Sequence, residues 1–91
     1  MTGREEDAVE VPITGELDLH SFAPREIPSL VEEYVHACHA KGIHDLRLVH
    51  GRGKGVQRAV VRRVLSRLVV VSFEDAPPAS GGWGVTLVRL G

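Results

Sequence analysis

The chain has 91 residues, 43% of them hydrophobic, which is enough for one domain with a modest core. Aromatic residues make up only 4%, so aliphatic packing must carry that core, and recognition of nucleic acid by rows of stacking rings is not favoured. A single cysteine rules out an internal disulfide, and the net charge of −1 alone designates no partner.

The charge is nevertheless unevenly distributed. Residues 1–46 carry ten acids against Arg4, Arg25 and Lys41, a balance of −7. From Arg47 to Phe73 there are seven cations (Arg47, Arg52, Lys54, Arg58, Arg62, Arg63 and Arg67) and no acid, a balance of +7. The start of the chain has no basic, apolar leader, and no run approaches the ~18 apolar residues that span a bilayer, so the expected setting is the reducing cytoplasm with no membrane partner.

Taken in order, residues 1–12 are acidic and without period, and are expected to be a flexible arm preceding a domain over 13–91. Glu16-Leu17-Asp18-Leu19-His20 alternates, placing Leu17 and Leu19 on one face of a strand and Asp18 and His20 on the other. Ser21 to Pro24 reads as a turn, with Pro24 suited to a first helical position. Ile27, Leu30, Val31, Tyr34, Val35 and Cys38 then recur at the spacing of one helical face, and Gly42 is a natural stop. Cys38 sits on that stripe and reads as core, while His36 and His39 on the outer arc read as solvated and His44 as a loop residue. Ile43 to Val49 is a second strand, and the helical connection predicts a right-handed parallel βαβ unit.

His50-Gly51-Arg52-Gly53-Lys54-Gly55 follows that strand and precedes a second amphipathic helix over Val56 to Leu68. Glycines let backbone N–H groups approach an anion closely, and a helix N-terminus adds unpaired donors and a positive dipole end, so phosphate is the expected guest. It is not a Walker A loop: Leu48 stands where its first glycine would, and Gly55 where Ser or Thr must follow the lysine. Nor does it complete the dinucleotide fingerprint, because Val56 occupies the third glycine position. On the helix, Val56, Val60, Val61, Val64, Leu65 and Leu68 form the apolar stripe, and Arg58, Arg62, Arg63 and Arg67 the basic outer arc. Val69 to Phe73 reads as a third strand, Glu74 to Trp83 as a loop and Val85 to Leu90 as a fourth strand. The order is βαβαββ: an α/β sandwich in which two helices cover a four-stranded mixed sheet.

Leu17-Asp18-Leu19-His20 and His50-Gly51-Arg52-Gly53-Lys54-Gly55, in that order on consecutive strands, resemble the LDLH and HGxGxG motifs of the Smr (small MutS-related) family. Gly81-Gly82-Trp83-Gly84-Val85-Thr86 is similar to the glycine-rich entry to that family's last strand. Ser21-Phe22 follow the first motif where the family often has glycine. The resemblance, to a stand-alone member of bacterial type, covers about Glu16 to Leu90. It implies a fold like the C-terminal domain of translation initiation factor three, and an endonuclease that nicks DNA or cleaves RNA.

For such an activity the expected catalytic residues are Asp18, His20 and His50. The two imidazoles would share the acid and base roles at the ends of parallel strands, and Asp18 would orient His20. Gly51, Arg52, Gly53, Lys54 and Gly55 would hold the phosphate, Arg58 and Arg62 the backbone, and Trp83 a base. RNA suits paired histidines because its 2′-hydroxyl is an internal nucleophile. Nicking DNA would call for an activated water, for which Asp18 and His20 could hold Mg²⁺ or Mn²⁺; two ligands fall short of a metal site, and no metal ligand is assigned. The rival readings are a catalytically silent nucleic-acid binding module using the same turn and basic helix, and a binder of small phosphate ligands. A monomer is the default expectation.

Overall fold

The computed structural model describes residues 11–51, 55–68 and 70–91, with the backbone alone for Val70 and Val71. The expected arm up to residue 10, and Arg52, Gly53 and Lys54 of the glycine turn, lie outside the described residues. Val11 and Ile13, on either side of the boundary expected after residue 12, both pack against the core.

The elements are β1 (Glu16–Asp18), α1 (Ile27–Ala40), β2 (Asp45–Val49), α2 (Val56–Leu65), β3 (Val70–Asp75) and β4 (Val85–Leu90), with one-turn 3₁₀ segments at Pro24–Glu26, Pro78–Ser80 and Gly82–Gly84. They form one four-stranded sheet in the order β1-β2-β4-β3. β1 and β2 are parallel, as a helical crossover demands, with Leu17 opposite Leu48 and Asp18 opposite Val49. β4 enters between β2 and β3 and runs antiparallel to both. The βαβαββ order and the mixed sheet are those the sequence predicts.

Alternation explains why only one face of this sheet carries helices. Leu17, Leu19, Leu46, Leu48, Val88 and Leu90 meet Ile27, Val31, Tyr34, Val35 and Cys38 of α1 and Val61, Val64 and Leu65 of α2 in a single buried core. The opposite face carries charge: Arg47 bonds Glu16 at 2.7 Å across neighbouring strands, and Arg89 bonds Asp45 at 2.6 Å. Tyr34 fastens α1 to the start of β1, its hydroxyl accepting from the Gly15 N–H at 2.9 Å and donating to the Glu16 carbonyl at 3.0 Å.

Boundaries differ where tertiary contacts override local propensity. Pro24 opens a 3₁₀ turn whose Glu26 carboxylate accepts from the Ala23 N–H at 3.2 Å, and α1 proper starts at Ile27 with Pro28 harmless in its first turn. α2 stops at Leu65 rather than Leu68, and Val56, assigned above to the apolar stripe, is 61% exposed in the helix's first turn. β3 runs two residues past Phe73, because Glu74 and Asp75 pair with Leu87 and Thr86 of β4. The expected loop therefore begins after Asp75.

Candidate nucleic-acid interface

β1 and β2 end together at one edge of the sheet, which brings the LDLH and HG motifs side by side: Asp18 lies opposite Val49, and the Leu19 N–H still reaches the Val49 carbonyl at 2.7 Å. His20 turns away from the core. Its backbone N–H donates to Asp18 Oδ1 at 3.1 Å and its ring Nδ1 is bonded to the same oxygen. The contact fixes the imidazole with Nδ1 as donor and leaves Nε2 toward solvent, the side chain being 70% exposed. Asp18 is correspondingly held below the ordinary carboxylate value, chiefly by the side-chain hydrogen bond from His20 and then by the backbone one.

His50 is placed quite differently. It is 5% exposed, and both ring nitrogens are engaged: Nδ1 lies 2.9 Å from the Gly51 carbonyl and Nε2 2.8 Å from Oγ1 of the fully buried Thr86. A carbonyl only accepts, so Nδ1 carries the proton and Nε2 accepts from the Thr86 hydroxyl. Burial pushes this imidazole below its ordinary value; the Gly51 carbonyl opposes the shift, and the nearby Arg58 and Arg62 cations add to it. The geometry therefore does not present His50 as the second exposed imidazole of an acid–base pair. It is a neutral pin joining the end of β2 to β4.

The glycine turn is similarly committed in part. The His50 and Gly51 N–H groups both donate to the Gly84 carbonyl, at 3.1 and 2.9 Å, so the Gly51 donor expected to face an anion is already used. Gly55 caps α2 with φ +78°, a left-handed conformation in which a side chain is strained. The Trp83 ring lies against it: Cζ3 is 3.3 Å from where a Cβ on Gly55 would stand. Arg58 sits 5.7 Å from the centroid of the same ring.

The basic helix also has a partner that sequence reading missed. Arg58 grips Asp75 with two bonds, at 3.0 and 2.9 Å, and Arg62 reaches the same carboxylate at 2.6 Å while lying 5.3 Å from the Phe73 ring centroid. Asp75 is held below the ordinary carboxylate range, first by the Arg58 hydrogen bond, and Arg58 is raised by the same contact. Arg58 and Arg62 thus lean over β3 instead of pointing outward, while Arg63 of α2 and Arg67 just past its end are exposed. The signal for Asp75 was available: continued alternation from Phe73 places it on the helix side of the sheet. His36 and His39 are exposed, His44 lies in the loop before β2 and Cys38 is buried, as expected.

Among the described residues no three His, Cys, Asp or Glu side chains cluster as metal ligands. Asp18 and His20 alone do not make up a divalent-ion donor set, particularly with Oδ1 already accepting two hydrogen bonds.

Fold and site together define a two-layer α+β domain of the kind that displays an Asp–His pair at the joint end of two parallel strands, beside a glycine turn leading into a basic helix. The chain belongs to the Smr family: the profile described as "Smr domain" matches residues 17–91. It is 42% identical over 76 residues to endonuclease MutS2 of Thermus thermophilus and 38% identical over 79 residues to that of Pelotomaculum thermopropionicum. Those alignments cover 82% and 86% of this chain but 10% of each relative, so the chain spans about a tenth of the length of the curated relatives it matches. The crystal structure of the Smr domain of Thermus thermophilus MutS2 superposes with a TM-score of 0.80 at 40% identity, covering 86% of this chain and 99% of that one. The fold is shared with YdaL, a stand-alone small MutS-related protein from Escherichia coli, at a TM-score of 0.67 and 24% identity, covering 84% of this chain and 63% of that one. No helix among the described residues is long and apolar enough to cross a membrane.

Proposed function

We propose that this domain is a nucleic-acid endonuclease that cleaves phosphodiester bonds with His20 as its proton-transfer group. The observation that carries the reading is the Asp18–His20 pair, in which the carboxylate fixes one ring nitrogen and leaves Nε2 open at the edge of the sheet. Nε2 takes the proton from the attacking oxygen, a 2′-hydroxyl in RNA or a water in DNA. Asp18 stabilises the imidazolium that forms, and a group so positioned is typically worth ~10²–10⁴ in rate. The resulting imidazolium, or solvent, returns a proton to the leaving oxygen. Charge building on phosphorus falls to the start of α2 and to Arg52 and Lys54 of the turn, whose residue types suit that role. His50 acts from beneath, joining Gly51 to β4 through Thr86.

A second reading has an observation of its own. With His50 buried and both its nitrogens engaged, the described site offers a single free imidazole, which also suits a module that binds nucleic acid without cutting it. Cleavage of end-labelled single-stranded RNA and of supercoiled DNA, with Mg²⁺, Mn²⁺ or EDTA, decides between them when run beside His20→Ala. The proposal expects cleavage to fall by about 10²-fold or more in the variant with binding retained. Absent cleavage, or cleavage unchanged by the substitution, overturns it in favour of the binding module.

A further inference from the structure

Trp83 is the only tryptophan in the chain and is 40% exposed, although the fold has a continuous aliphatic core that an aromatic ring could have entered. Among the described residues the large hydrophobic side chains left exposed are Trp83 and Val56, and the two are joined through Gly55, the residue against which the Trp83 ring lies. A lone exposed apolar side chain calls for no explanation, but one held rigidly beside a nucleic-acid site does.

The ring is held from several directions. It stands in the 3₁₀ turn Gly82–Gly84, between two buried glycines. The carbonyl of Gly84 accepts the N–H groups of both His50 and Gly51, which ties the turn to the end of β2. The ring's Cζ3 comes so close to the start of α2 that a Cβ on Gly55 would stand 3.3 Å from it, and the guanidinium of Arg58 near the ring is itself fixed by two bonds to Asp75. β1, β2 and this turn are consecutive along one edge of the sheet, so the ring stands beside the strand ends that carry His20 and His50. An aromatic side chain fixed before binding gives up little entropy when a planar group lands on it.

We propose that Trp83 is a stacking platform for a single unpaired nucleotide next to the cleavage site, and that the chain therefore selects single-stranded nucleic acid over duplex. This deepens the endonuclease reading and rests on it. Within a duplex both faces of every base are covered by neighbours, so a ring gains access only if a base is extruded, at a cost of a few kcal/mol. A single strand offers base faces without that cost, and any base will serve because each has a π-face. Arg58 beside the ring, and Arg62 one helical turn further along α2 on the same Asp75 carboxylate, carry the charge that a strand's backbone would follow once it displaces that carboxylate, as in sites that combine a basic track with aromatic platforms.

The test uses the intact chain and the intrinsic fluorescence of Trp83, which no second tryptophan obscures. A mixed-sequence oligonucleotide without self-complementarity, and the same strand annealed to its complement, are titrated separately at one salt concentration, in RNA and DNA forms. The single strand is expected to quench the emission and the duplex to leave it nearly unchanged. Trp83→Ala should weaken single-strand binding, measured by anisotropy of a labelled strand, by roughly five- to a hundredfold, while duplex binding moves by less than about twofold. Trp83→Phe should recover part of the loss. Equal quenching by duplex and single strand overturns the proposal, as does a Trp83→Ala variant whose single-strand affinity is within about twofold of the parent. In either case cleavage that still depends on His20 leaves the endonuclease reading standing. If neither polymer binds, the nucleic-acid reading fails along with the proposal.

Discussion

Thr86→Val isolates the side-chain hydrogen bond that joins His50 to β4. Thr86 is fully buried and its hydroxyl donates to His50 Nε2 at 2.8 Å, while Nδ1–H is committed to the Gly51 carbonyl at 2.9 Å. Valine keeps the shape but removes the donor, and the imidazole cannot compensate by shifting its proton, because that would leave the Gly51 carbonyl facing a bare nitrogen. A buried acceptor left without a partner costs about 1–3 kcal/mol. At ~4–8 °C per kcal/mol for a domain of this size, the melting temperature should fall by roughly 4–24 °C.

Thermal melts followed by circular dichroism above the ordinary imidazole value of 6.5 are the assay, so that the histidine is neutral in folded and unfolded chains alike. The pH dependence supplies a check within the same experiment. Because His50 is held below 6.5 in the fold, chiefly by burial, the unfolded chain takes up the proton first. The stability from His50 is therefore complete above 6.5 and is lost as pH falls through the lower folded value. Asp18, also lowered, adds a second loss that begins only below 3.8. A melting temperature within about 1 °C of the parent would refute the reasoning and return His50 to the list of candidate catalytic bases.

Two further outcomes follow from bonds described above. Asp75→Asn frees Arg58 and Arg62 from their shared carboxylate, so nucleic-acid affinity at low salt should rise and the slope of log affinity against log salt should steepen by up to about 1.4, at ~0.7 per cation on a single strand; an unchanged slope would mean that neither guanidinium meets phosphate. Tyr34→Phe removes the hydroxyl that serves the Gly15 N–H and the Glu16 carbonyl, and is expected to lower the melting temperature by at least ~4 °C through a cost of about 1–3 kcal/mol; no change in the melt would show that α1 is fastened to β1 by packing alone.

The periodicities of Ile27 to Cys38 and of Leu17 and Leu19 carried enough information to set the helices, the parallel crossover and the mixed sheet. Strand ends did not follow from propensity. Glu74-Asp75-Ala76-Pro77 reads as a loop in isolation, and it is pairing with Leu87 and Thr86 that draws the first two into β3. The different fates of the two site histidines were legible in principle, through parity. Leu17 and Leu19 face inward, which puts Asp18 and His20 outward; Leu46 and Leu48 face inward, which puts His50 inward with them. The shared motif context suggested two equivalent imidazoles, and the strand period separates them.

The same correction applies to charge. A span from Arg47 to Phe73 with seven cations and no acid suggests a uniformly basic surface, but balance along the chain is not balance in space. β1 returns Glu16 to Arg47, and β3 returns Asp75 to Arg58 and Arg62, so three of the five cations of that span among the described residues already hold carboxylates. A phosphate that displaces Asp75 must match two guanidiniums spaced by one carboxylate, whereas one that meets Arg63 or Arg67 needs only charge. On the proposed function, affinity without sequence preference would belong to Arg63 and Arg67, and alignment of the strand with Trp83 and His20 to the Arg58–Asp75–Arg62 cluster. For this reason Asp75 and Trp83, rather than the arginines as a group, are the positions at which binding and positioning can be told apart.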